Sequence, residues 1–367
     1  MSLKPLSPQD RFSIMKQLGN GSFGTIYSAI DNLTSEKVAL KIENEHVLTS
    51  LINMEAEAYL ALQGGPGIPK FYWFGQYNKN QRGMAIQLID QSLRDIVVKC
   101  HNQLSLKSTL MLAERFITTV QYIHSKGYIH RDLKPENFLL DKNNNFYIID
   151  YGLCTKYITS TGEHIPYREG LSLIGTPIYA SMNACQGRTQ SRRDDLESIG
   201  YILIHLIKGT LPWSKIAKPQ NPDDRRAYIQ KILDCKLATG IEDLCSGLPD
   251  QFVQYFDEVE LNLGFEDTPD YEKLKGFFKE ALTSSQLKDD GKFDWDVSKP
   301  AAKSLSLHKT RTSLNTSSSS LEKHVPTPRS MRRIRQSPSN LISPHPTKSG
   351  IKAARSSIDI FSVNYIK

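Results

Sequence analysis

The segment His130-Arg131-Asp132-Leu133-Lys134-Pro135-Glu136-Asn137 constrains this chain more than any other eight residues in it. It matches H-R-D-L-x-x-x-N at each specified position, setting a carboxylate, a cation and an amide within one short loop. Moving a phosphoryl group onto a hydroxyl calls for a carboxylate to orient and deprotonate the attacking oxygen, a cation beside the γ-phosphate, and oxygen ligands for Mg²⁺. Asp132, Lys134 and Asn137 supply one of each. Beyond them the apolar run Tyr147-Ile148-Ile149 leads into Asp150-Tyr151-Gly152, where Asp150 is expected to be the second metal-binding carboxylate. Tyr151 stands where Phe is usual, and an aromatic ring packs in either case, so the departure bears on loop regulation at most.

Gly19-Asn20-Gly21-Ser22-Phe23-Gly24 fits G-x-G-x-x-G, a pattern that dinucleotide-binding folds and plain glycine turns also produce. A dinucleotide loop must open a helix, whereas Thr25-Ile26-Tyr27-Ser28-Ala29 continues with strand-forming residues. A hairpin folded over phosphates fits better. Lys41, in Val38-Ala39-Leu40-Lys41, approaches the V-A-I-K pattern whose lysine neutralises the α- and β-phosphates. It needs an acidic partner on the following helix. Glu55, within Ile52-Asn53-Met54-Glu55-Ala56, stands at a suitable separation, and Glu57 would point elsewhere on the helix.

Periodicity predicts strands over most of residues 12–89, clearest at 38–42, with one helix over 51–62. From 90 to 297 helices dominate: Leu110, Ala113, Ile117 and Val120 recur at helical spacing, as do Leu196, Ile199, Leu203 and Leu206. The predicted fold class is α+β and bilobal, a small β-rich lobe ahead of a larger helical lobe. A short extension, residues 1–11, precedes it.

Composition changes after Phe293-Asp294-Trp295. Residues 298–367 contain 21 Ser or Thr and carry 13 Lys and Arg against 2 Asp and Glu, net +11. The remainder holds 33 basic against 37 acidic residues, net −4. Hydrophobics this sparse do not offset the entropy of ordering, which predicts a disordered basic tail. Arg329, Arg332, Arg333 and Arg335 form its densest cluster, and a nucleic-acid or anionic-membrane binder is the alternative to a solvated linker; no interleaved aromatics support binding. The five cysteines are scattered without a C-x-x-C pair, as reduced thiols of a cytosolic or nuclear protein would be. No apolar leader, no long apolar run, Ser at position 2 and no terminal cysteine predict neither a membrane span nor a lipid anchor.

With these residues in view, 12–297 resembles a eukaryotic protein kinase of the casein kinase 1 family. Gln63-Gly64-Gly65-Pro66-Gly67-Ile68-Pro69, His164-Ile165-Pro166-Tyr167-Arg168-Glu169 and Gln190-Ser191-Arg192-Arg193-Asp194-Asp195-Leu196-Glu197-Ser198-Ile199-Gly200-Tyr201 carry that narrower likeness, as does Ser181-Met182-Asn183 where A-P-E would stand. The resemblance implies a serine/threonine kinase using ATP and Mg²⁺ on protein substrates, acidic in character, and acting as a monomer. It further implies that Ile86 is the gatekeeper, that the Gln87-Leu88-Ile89 backbone holds adenine, and that Leu18, Ile26, Ala39 and Leu139 surround the base. Asp195 resembles the buried helix residue that holds the catalytic-loop backbone. Basic residues that bind a priming phosphate in that family are matched here by Leu171 and Ile178, so general basic surface around Arg168, Arg192 and Arg193 is expected to attract acidic substrates instead, the alternative being that Arg225 or Arg226 replaces the lost charges. A scaffold that keeps the fold without catalysis is the alternative, opposed by the complete residue set.

Overall fold

The computed structural model describes residues 7–21, 24–44 and 51–296. Ser22 and Phe23, residues 1–6, and the basic tail with Arg329, Arg332, Arg333 and Arg335 lie outside the described residues.

Alternation builds the first lobe. Strands β1 (Phe12–Gly21), β2 (Gly24–Asp31), β3 (Glu36–Glu43), β4 (Phe71–Gln76) and β5 (Arg82–Gln87) form an antiparallel sheet in the order β1-β2-β3-β5-β4. In β3, Val38, Leu40 and Ile42 join a small core with Phe12, Ala29 and Ala85, while Ala39 and Lys41 face away from it. The register sets Lys41 opposite Ile26 and Met84, and Ala39 opposite Ile86, so these five share one face of the sheet. The β1–β2 hairpin closes at Gly21 and Gly24, and a Cβ on Gly24 would collide with the Ile42 carbonyl. A four-residue helix α1 (Pro8–Arg11), capped by Ser7, precedes the sheet and ends in an ion pair from Arg11 to Asp31 at 2.7 Å. Helix α2 (Leu51–Leu62) buries Ile52, Glu55, Ala56, Tyr59 and Leu62, one stripe at helical spacing, and leaves Glu57 exposed.

The second lobe begins with β6 (Gln91–Ser92) and α3 (Leu93–Lys99), followed by α4 (Leu106–Ser125). Short strands β7 (Tyr128–Ile129), β8 (Phe138–Leu140), β9 (Phe146–Ile148) and β10 (Thr155–Lys156) carry the loops that face the sheet lobe. Helices α5 (Met182–Cys185), α6 (Arg192–Lys208), α7 (Arg225–Ala238), α8 (Ile241–Cys245), α9 (Gln251–Phe256) and α10 (Tyr271–Ser284) complete it. Both stripes read from the sequence, 110/113/117/120 on α4 and 196/199/203/206 on α6, are buried in the main core. After α10 the chain turns back: Phe293 stacks on Trp295 at 4.5 Å, and the Asp294 carboxylate accepts from the backbone and hydroxyl of Ser105 at the start of α4. No helix among the described residues is long and apolar enough to cross a membrane.

Candidate active site

Between the lobes lies a pocket lined by Ile26, Ala39, Lys41, Glu55, Tyr59, Met84, Ile86, Ile149 and Asp150. Its roof is the cleft face of the sheet, fixed by the strand register. Its back wall is the inward stripe of α2. Lys41 Nζ donates to Glu55 Oε2 at 2.6 Å and stands 3.8 Å from Asp150 Oδ1. Burial disfavours the ammonium, but Glu55, Asp150 and Glu43 outweigh it and raise the Lys41 pKa.

The loop after β7 sits beneath this pocket. His130 Nδ1 accepts from the Asp132 backbone N–H (3.3 Å) and Nε2 donates to the Ile149 carbonyl (3.1 Å), tying the loop to the strand that leads into Asp150. Arg131 has φ +67°, the left-handed region that costs a non-glycine residue energy, and its backbone N–H donates to Asp195 Oδ1 at 2.9 Å. The N–H of His130 (2.7 Å) and His124 Nε2 (3.0 Å) donate to Asp195 Oδ2. Burial opposes ionisation of Asp195, yet these bonds hold its carboxyl below the ordinary range. Asp132 is thereby aimed upward, its Oδ2 accepting from Lys134 Nζ and its Oδ1 from Thr176 Oγ1, both at 2.7 Å. Burial works against the Lys134 ammonium, but Asp132 and Asp150 raise its pKa.

The sequence profile of the Protein kinase domain matches residues 12–279, well over half of the 367. The chain belongs to the protein kinase family. A kinase domain implies ATP, a divalent metal and protein substrates, and the donor set suits such a metal. Asn137 uses Nδ2 on the Asp132 carbonyl (2.9 Å), leaving Oδ1 for a cation. Burial opposes the Asp150 carboxylate, but Lys41, Lys134 and His130 hold it below the ordinary range and so ionised. One carboxylate and one amide oxygen, with phosphate oxygens to come from the nucleotide, are hard ligands of the kind Mg²⁺ takes.

Other residues nominated from the kinase sequence are placed as follows. Gly19 is buried in β1, Leu18 and Gly21 are half-buried, and Asn20 is exposed with Oδ1 accepting from Thr25 Oγ1. Ser22 and Phe23 are outside the described residues. Gln87, Leu88, Ile89 and Leu139 do not line the pocket; Ile89 and Leu139 pack with Ile149, which does. Tyr59, Met84 and Ile149 were not singled out from the sequence, although Tyr59 lies one turn from Glu55 on the same stripe. Nor was Thr176, for which no spacing gives a signal. Tyr151 is fully buried, packed edge-on against Tyr59 at 4.8 Å and near His130 at 5.3 Å, and its hydroxyl donates to the Ile148 carbonyl.

One expectation is corrected. Arg192 and Arg193 do not form substrate-facing basic surface, since each is only 8% exposed. The Arg192 guanidinium lies over the Tyr157 ring and donates to the Glu266 carbonyl (2.6 Å), while Arg193 donates to the Leu263 carbonyl. They join α6 to the 263–268 loop. Arg168 is exposed, as is Arg226, and Arg225 is half-buried.

Proposed function

We propose that this kinase phosphorylates serine and threonine in proteins, in the manner of the casein kinase 1 family, using Mg·ATP. The observation that carries the reading is the Asp132 carboxylate held between Lys134 Nζ and Thr176 Oγ1, below the Lys41–Glu55 pair. Asp132 takes the proton of the incoming hydroxyl as its oxygen bonds to the γ-phosphorus; the bond to the β-phosphate oxygen breaks and ADP leaves. Lys134 offsets charge on the transferring group, and Lys41 holds the α- and β-phosphates. Asn137 and Asp150 would hold Mg²⁺, which would supply neutralisation of phosphate charge. The hairpin carrying Gly19, Gly21 and Gly24 covers the phosphates, and adenine meets Ile26, Ala39 and Ile86 of the pocket and extends past its lining to Leu18, the 87–89 backbone and Leu139. Incubation with radiolabelled ATP and casein, then phosphoamino-acid analysis, tests this: label on serine or threonine is expected, and label on tyrosine or none refutes it.

Leu171 is 45% exposed and Ile178 half-buried, and neither side chain binds an anion, which supports substrate choice without a priming phosphate. Acidic substrates are drawn instead by Arg168, Arg225 and Arg226. We place the end of the kinase domain at 297 and read the enzyme as a cytosolic or nuclear monomer. The tail 298–367, with its 21 hydroxyls, is phosphorylated by its own kinase domain and then inhibits it, each phosphate adding about −1.5 to −2 charge to a segment of +11. Deleting 298–367 is expected to raise activity after incubation with ATP; unchanged kinetics would refute the inhibition.

A further inference from the structure

The two peptide planes that lead into Asp150 are each held at both ends. In the plane joining Ile148 to Ile149, the carbonyl accepts from the Tyr151 hydroxyl (3.1 Å) and the N–H donates to the Asn137 carbonyl (3.0 Å). In the next, joining Ile149 to Asp150, the carbonyl accepts from His130 Nε2 (3.1 Å) and the N–H donates to the Tyr59 hydroxyl (3.3 Å). Asp150 needs such support. Its backbone lies at φ +67°, ψ +67°, a left-handed conformation that a non-glycine residue keeps only when its surroundings fix it.

The Tyr151 bond differs from the other three because it spans Asp150. Its donor follows the carboxylate in the chain and its acceptor precedes it, so the side chain closes a small ring with Asp150 inside. Asp150 cannot leave its left-handed conformation without swinging Tyr151 and breaking the bond. Ile148 turns its N–H away from β8, onto the Gly67 carbonyl (2.9 Å), and its own carbonyl takes a donor from the hydroxyl rather than from the ladder. The Tyr151 ring is fully buried against Tyr59 (4.8 Å) and His130 (5.3 Å). Phenylalanine, the usual residue here, would fill the same space and give up only the tie.

We propose that the Tyr151 hydroxyl is a positioning group for the metal: it locks Asp150 with its carboxylate toward the cleft, 3.8 Å from Lys41 Nζ, and so strengthens the grip on Mg²⁺ beyond what phenylalanine would give. This rests on the reading above that Asp150 holds the metal. Apparent affinity falls with the fraction of molecules in the competent conformation, so the effect is that of one hydrogen bond. A side chain that only filled the core would leave the grip unchanged as long as its ring was kept.

The test is equilibrium binding of a non-hydrolysable ATP analogue to the full-length protein, in EDTA and at saturating Mg²⁺, for wild type, Tyr151→Phe and Asp150→Asn. The readout is the factor by which Mg²⁺ tightens Kd, and it needs no turnover. Wild type should tighten clearly and Asp150→Asn little. In Tyr151→Phe the Kd in EDTA should match wild type, and the tightening by Mg²⁺ should be smaller by roughly two- to tenfold. A tightening in Tyr151→Phe equal to or larger than that of wild type overturns this inference and leaves the metal reading intact. A Kd weakened by the same factor with and without Mg²⁺ does the same, since it marks a purely structural role. No tightening in wild type, or an undiminished one in Asp150→Asn, overturns the metal reading and this inference with it.

Discussion

Replacing Asp195 with asparagine tests whether the catalytic loop is held in place from behind. The carboxylate accepts three hydrogen bonds, from His130 N and His124 Nε2 on one oxygen and from Arg131 N on the other. An amide has one accepting oxygen. Placed to keep the first two bonds, it turns its NH₂ toward the Arg131 N–H, leaving a buried donor unpaired at a cost of about 1–3 kcal/mol. Loss of the charge weakens the other two bonds by about 1 kcal/mol each, so roughly 3–5 kcal/mol in all. At about 2–4 °C per kcal/mol for a body of this size, Tm should fall by about 6–20 °C. The Arg131 backbone, at φ +67°, is then free to relax toward an unstrained conformation, carrying Asp132 with it. A displacement near 1 Å lowers kcat by about 10²-fold, while nucleotide affinity, set by Lys41 and the pocket, should change little. Because the folded Asp195 pKa lies below 3.8, its contribution is complete at neutral pH and is lost only as pH falls through the carboxylate range. The difference between variant and wild type should therefore be constant from pH 6 to 8. Thermal unfolding and peptide kinetics at 20 °C are the assays. A Tm within 1 °C of wild type together with kcat within threefold would refute the argument.

Asp132→Asn should lower kcat by about 10²- to 10⁴-fold with nucleotide binding retained, checked by radiolabel transfer and by titration with a non-hydrolysable ATP analogue. Lys41→Met should abolish activity and also lower Tm, because Glu55, 2% exposed, is left as a buried carboxylate without its partner, a change of about 3–5 kcal/mol; thermal unfolding of the variant reads it. For paired peptides with and without phosphoserine three residues before the acceptor, wild type should show little preference in kcat/KM and Ile178→Arg should acquire one. A large preference in wild type, unaltered by the substitution, would place a phosphate site elsewhere.

Much of the site was legible because its determinants are local. Residues 52, 55, 56 and 59 share a stripe at helical spacing, so Glu55 rather than Glu57 faces Lys41. Alternation along β3 sends Lys41 and Ala39 to the cleft and Val38 and Leu40 to the core. The catalytic loop and Asp150 are read from fixed spacings. What escaped depends on contacts between segments far apart in the chain. Thr176 reaches Asp132 across 44 residues and carries no motif of its own. Met84 enters the pocket only through the β3–β5 register, which single-strand periodicity does not reveal.

Arg192 and Arg193 show why charge in a sequence is a poor guide to surface. At the start of α6, Arg192 and Arg193 read as basic surface, yet they are buried together with Asp194, Asp195 and Glu197. Each charge has a partner supplied by another element: the Glu266 carbonyl and Tyr157 ring for Arg192, the Leu263 carbonyl for Arg193, Ser181 for Asp194, His124 for Asp195 and the Met182 N–H for Glu197. A buried ion without such partners would cost several kcal/mol, so a run of this density implies a polar junction as readily as a surface. The junction here joins α6 to the catalytic loop, to α5 and to the 263–268 loop. With two arginines out of the basic surface, fewer cations remain to carry the acidic-substrate preference proposed above. Arg188 is already engaged by Glu169 at 3.4 Å. Attraction through Arg168, Arg225 and Arg226 at exposed or half-exposed positions is screened by salt, so substrate preference in this kinase should weaken as ionic strength rises, unlike a preference built on a fixed phosphate pocket.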